Sequence, residues 1–158
     1  MFTVSRKSRT KHILLTLSCL LLLLSLALST STALAVTNFR VLTANLTGAA
    51  EVPGPGDPDG SGIAKIRLFP DSNLVCFSIR AEDITLPALA AHIHVGGADV
   101  AGPIVVTLAP PDASGSVKGC ATADEALIRA IYNDPSAYYV NVHTTDYPGG
   151  AIRGQLSK

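Results

Sequence analysis

Residues 62–81 alternate between apolar and polar side chains, and that alternation is the strongest constraint on the fold. Gly62 to Phe69 sets Ala64, Ile66 and Leu68 on one side and Lys65 and Arg67 on the other. Pro70-Asp71-Ser72-Asn73 reads as a turn, because its short polar side chains bond their own backbone. Leu74 to Ala81 then brings Val75, Phe77 and Ile79 together. A period of two is the signature of a half-buried strand. Two such runs joined by four turn residues predict an antiparallel hairpin with one apolar face to cover.

The remainder reads in the same way. Asn38–Thr47 alternates loosely as a first strand, and its Asn45-Leu46-Thr47 matches a glycosylation sequon. Residues 52–62 are too rich in Pro and Gly to pair regularly. Asp57 and Asp59 in that loop lack the acid spacing of an EF-hand, so an irregular surface connection is the simpler reading. Ile104–Leu108 is a continuous apolar run and reads as a central strand, and Ser116–Cys120 as a short one. Thr122-Ala123-Asp124-Glu125 fits a capping box that opens a short helix. Ala126, Leu127 and Ile131 would face the core, and the helix would end near Asn133-Asp134-Pro135. About eight short strands and one short helix predict an all-β fold, an antiparallel β-sandwich of the Ig-like or Greek-key type.

Residues 1–35 are set aside as a secretory signal peptide. Arg6, Lys7, Arg9 and Lys11 precede an apolar run from Ile13 to Leu28, and Ala33-Leu34-Ala35 is a small-x-small cleavage site. The rival reading is an uncleaved anchor, since the run approaches the length of a short spanning helix. Cleavage leaves residues 36–158 as one domain. Four of the 12 Lys and Arg lie in the leader and all 12 acids lie beyond it, so this domain carries 8 cations against 12 anions, a formal charge of −4. No basic run is visible, which argues against a nucleic-acid partner. Cys76 and Cys120 remain, an even pair in an exported domain, and are expected to form a disulfide.

The chemistry concentrates on histidine. His92 and His94 in Ala91–Gly97 share one strand face, as do Asn141 and His143 in Tyr139–Thr144. Each stretch is followed by a loop and then Gly-x-Ile-x-x-x-Leu, at Gly102–Leu108 and at Gly150–Leu156, so the two read as similar hairpins. If the hairpins are neighbours, three imidazoles converge. His92, His94 and His143 are then the inventory of a three-histidine copper or zinc site with an open position. Asp99 or Asp146 would be available as a loop carboxylate. The competing reading is a structural network in which each ring nitrogen is paired within the protein, with Asn141, Thr144, Arg153 and Gln155 as partners. The His-x-His strand in a disulfide-stapled β fold is reminiscent of Cu/Zn superoxide dismutase in layout alone; three histidines are too few for a two-metal cluster. No nucleophile elbow, P-loop or dinucleotide glycine motif is present, and no catalytic residue is assigned.

The segments Ala91-His92-Ile93-His94, Gly102–Leu108, Tyr139–Thr144, Pro148-Gly149-Gly150 and Ile152-Arg153-Gly154-Gln155-Leu156 together resemble a CHRD domain, the module named for its repeats in chordin. The likeness spans residues 39–156. The family usually has an acid before Ile-Arg-Gly-Gln, where this chain has Ala151, so no role for that carboxylate carries over. The resemblance implies an exported all-β module and little chemistry; with no catalytic motif in the chain, the reading is a binding or structural module and not an enzyme. Chordin binds bone morphogenetic proteins, but this chain lacks the cysteine-rich modules that go with that activity. The expected setting is outside the cytoplasm, whether extracellular, at the cell surface or periplasmic, and off the membrane once the leader is cleaved. An extracellular protein partner that adds a strand at a sheet edge fits the same picture.

Overall fold

The computed structural model describes residues 39–158; the signal-peptide reading of residues 1–35 and the expected new N-terminus at Val36 lie outside the described residues. Eight strands form: β1 (Arg40–Thr47), β2 (Ser61–Phe69), β3 (Leu74–Glu82), β4 (Ala90–Val95), β5 (Ile104–Leu108), β6 (Ser116–Thr122), β7 (Tyr138–His143) and β8 (Ile152–Gln155). One α-helix, α1 (Glu125–Asn133), lies between β6 and β7. Among the described residues no helix is long and apolar enough to cross a membrane.

All eight strands belong to one sheet in the order β5-β4-β7-β8-β1-β2-β3-β6, and every pairing is antiparallel. Its two ends, β5 and β6, curl toward each other, so the sheet is a nearly closed barrel. The expected division into two facing sheets is therefore replaced by one continuous sheet. Curling answers the same physical demand, because strands with one apolar face bury it by wrapping it inward.

The expected hairpin is present with its register intact: Ala64, Ile66 and Leu68 pair with Ile79, Phe77 and Val75. These side chains meet Leu42, Ala44 and Leu46 of β1 and Ile93, Val140 and Val142 from the far side of the barrel. Ile128 and Ile131 of α1 complete the core. Ala126, expected inside, is exposed, and Ile128 takes its place. The expected capping box does not form. Thr122 is held in the ladder opposite Leu74, so the helix starts after Asp124, and Glu125 bonds Arg129 one turn on at 2.7 Å.

Ile104–Leu108 is an end strand rather than a central one. Its pairing to β4 shifts between Ile93 and His94, leaving Val105 as the extra residue of a bulge. The bulge changes the phase of the run. Val106 and Leu108 point inward while Ile104 stays 51% exposed, so unbroken apolarity here does not mean burial on both faces.

Cys76 and Cys120 sit directly opposite each other on β3 and β6, on the outer face, and are joined as a disulfide with Cα atoms 3.9 Å apart.

Candidate metal centre

Strands β4 and β7 are direct neighbours, with Ala90 opposite His143, His92 opposite Asn141 and His94 opposite Tyr139. Antiparallel partners face the same way. His92, His94, Asn141 and His143 therefore lie together on the outer face, with Ile93, Val140 and Val142 in the core behind them. β8 extends the row, because Asn141 pairs with Arg153 and Tyr139 with Gln155.

That outer face is not open to water. The loops after β1 and β4 fold back over it, and β7 and β8 are buried on both sides. The bonds that fix the loops are specific. Asp57 N–H donates to Ala151 O at 2.9 Å, Arg153 Nη2 to Gly97 O at 2.7 Å, and Gln155 Nε2 to Gly96 O at 2.8 Å. The result is a second, polar layer outside the apolar core. Arg153 is only 1% exposed, with its guanidinium 3.5 Å from the centre of the Tyr139 ring. The Tyr139 ring in turn stacks on His94, centroids 4.8 Å apart and nearly parallel.

The three histidines converge. One ring nitrogen from each of His92, His94 and His143 lies within 4.8 Å of the other two. His94 Nδ1 is 2.9 Å from Gly102 O, and His143 Nδ1 is 3.0 Å from Pro148 O. A carbonyl only accepts, so both Nδ1 atoms carry the proton and both Nε2 atoms present lone pairs. His92 Nδ1 lies 3.1 Å from His143 Nε2. His94 Nε2 is buried and has no partner among the described residues. Burial pushes the His92 pKa down to about 4, and the neighbouring imidazoles of His143 and His94 add to it. Burial also lowers His94 and His143, against the raising effect of their carbonyl partners. All three rings are thus neutral at neutral pH, the form that ligates metal.

Asp99 and Asp146 do not join this cluster. Asp146 accepts instead from Thr85 Oγ1, and Asp99 lines a separate cavity of about 460 Å³ with Glu51, Arg153 and Gln155. Thr144 turns away from the rings and caps its own loop, accepting from Tyr147 N–H at 3.1 Å. Asn141 donates to Glu51 Oε2 at 2.9 Å.

A protein-family model, the CHRD domain, matches residues 42–156. This chain belongs to the CHRD domain family. No curated protein and no solved structure matches it. Within this CHRD domain the segments singled out in the sequence fall on β4, β5, β7 and β8, one contiguous half of the sheet.

Glu51 is a residue that sequence reasoning had no ground to choose. It is 6% exposed, and burial raises its pKa to about 7 despite the Arg153 charge nearby and the Asn141 hydrogen bond. Glu51 precedes a Pro/Gly loop, where a lone acid normally sits in water. Its only signal is the loop's return onto β8, which needs Gly56 against the Ala151 carbonyl.

Proposed function

We propose that this CHRD domain is an exported binding module whose ligand is a copper or zinc ion held by His92, His94 and His143. The observation that carries the reading is the unpartnered, buried Nε2 of His94 beside two other imidazoles. A purely structural network pairs nearly every buried ring nitrogen, and this one leaves His94 Nε2 unpaired among the described residues.

The rest of the geometry supports it. His92 Nδ1–H donates to His143 Nε2 at 3.1 Å; a shift of the His92 proton to Nε2 would leave two lone pairs close to the roughly 3.3 Å that separates two ligands on one tetrahedral ion. Backbone carbonyls on the far nitrogens of His94 and His143 fix ring orientation, as outer partners of metal-bound histidines do. Three protein ligands leave one position open for water or a partner's side chain. The protein would act by binding and not by catalysis. The Cys76–Cys120 disulfide and the CHRD family membership support a place outside the cytoplasm.

The test is metal content and titration of the untagged protein. One Cu(II) or Zn(II) per chain is expected at micromolar metal, with loss of binding in His94→Ala while the far-UV spectrum is kept. Background metal in the wild type, with His94→Ala only less stable by about 1–3 kcal/mol from unpaired buried groups, would return the cluster to a structural role.

A further inference from the structure

Against the expectation of a domain that leaves the membrane once its leader is cleaved, we propose that the outer face of β2, β3 and β6 docks this protein on an anionic lipid membrane. Loops cover the outer face over β7 and β8, but not this part of the barrel. Pairing sets Lys65, Ser78 and Lys118 in one row across the three strands, Arg67, Cys76 and Cys120 in the next, and Ile63, Arg80 and Ser116 on the other side. Four of the domain's 8 cations thus share one face. Glu82 is the acid beside them, and it is committed to Arg80 at 2.7 Å. Lys65, Arg67 and Lys118 are exposed and enter no ion pair among the described residues.

The contrast with the rest of the domain is large. The face carries Lys65, Arg67, Arg80 and Lys118 against Glu82, a local charge of +3 inside a domain of −4, so the remainder carries −7. Such a dipole orients the molecule before contact. The disulfide between Cys76 and Cys120 pins two of the three strands beneath the patch, so the cations are held on a rigid platform.

Exposed apolar side chains select a membrane over a linear polyanion. Val41 is 48% exposed and Ile63 37% exposed on that same outer face, and Phe39, just before β1, is 48% exposed. Phe39 stacks on Phe69 at 5.5 Å, next to the Arg67 row. Cations interleaved with aromatic and aliphatic groups on a convex surface match anionic headgroups above an acyl layer. A polysaccharide or nucleic-acid strand would be served by a groove and needs no greasy flank.

The experiment is co-sedimentation of the exported protein with phosphatidylcholine vesicles, with and without phosphatidylglycerol. Binding is expected with phosphatidylglycerol, weak binding without it, and release by salt. Each cation near such a surface contributes roughly fivefold in partition, so Lys65→Gln/Arg67→Gln/Lys118→Gln should weaken it about a hundredfold. Phe39→Ser/Val41→Ser should lower the salt-resistant fraction. Should the triple variant fold poorly, Lys118→Gln alone, with roughly a fivefold loss, serves the same purpose. Equal binding to both vesicle types, or an unchanged triple variant, overturns the proposal. Salt-sensitive retention on heparin without vesicle binding overturns it in favour of a linear polyanion.

Discussion

Replacing Glu51 by Gln should change how stability depends on pH. Glu51 has a folded-state pKa of about 7 against an ordinary 4.5. Between those values the native chain holds a proton that the unfolded chain has released, so unfolding becomes easier as pH rises. The stability is fully present below pH 4.5 and is lost by the time pH passes 7. At 1.36 kcal/mol per pKa unit, the loss across this window is roughly 3 kcal/mol. The histidines act in the opposite sense. Their folded pKa values lie below 6.5, that of His92 at about 4, so their contribution is present above 6.5 and lost as pH falls. The wild-type curve mixes both slopes, and the difference between wild type and Glu51→Gln isolates the carboxyl. Gln is nearly isosteric and its amide oxygen can still accept from Asn141. Urea unfolding of metal-free protein from pH 4.5 to 8 should show the variant gaining about 3 kcal/mol relative to wild type as pH rises. A difference that stays flat to within about 0.5 kcal/mol would refute the buried, proton-holding carboxyl.

Replacing both Cys76 and Cys120 by Ser should cost about 4 kcal/mol, from the entropy of a closure spanning 44 residues; a chemical denaturation midpoint that does not move would refute it, as would two reactive thiols in the unfolded, unreduced wild type. N-terminal sequencing of the exported protein should begin at Val36, and a chain that retains residues 1–35 would favour an anchor.

The paired strands were legible because their chemistry is local. Ala64, Ile66 and Leu68 against Lys65 and Arg67 specify a face without knowledge of the partner. His92, His94 and His143 were likewise legible as residues on strand faces, and adjacency of β4 and β7 brings them together. Ile104–Leu108 was misplaced because apolar content reports burial only if the strand keeps its phase, and the bulge at Val105 breaks it. The polar layer was hidden for a different reason. Glu51 and Arg153 lie far apart in sequence, and each is polar on a chain segment that would ordinarily be wet. Only the return of the covering loops buries them. The basic face was hidden too, because Lys65, Arg67, Arg80 and Lys118 form no run and are gathered only by strand register.

In the middle of the sheet, strands from opposite ends of the domain are neighbours. β1 pairs with β8, and Thr43 exchanges backbone bonds with Ser157, which is 114 residues away. β1 and β2 can form a ladder early, but one edge of β1 waits for the last strand to arrive. Contacts this distant in sequence make for folding on the slow side, in milliseconds to seconds. A chain of this topology emerging from a ribosome cannot lock its barrel until residues 152–157 are out, and it stays threadable while it does so. The pairing that ties the finished domain together at its middle therefore leaves the nascent one open until its last strand arrives.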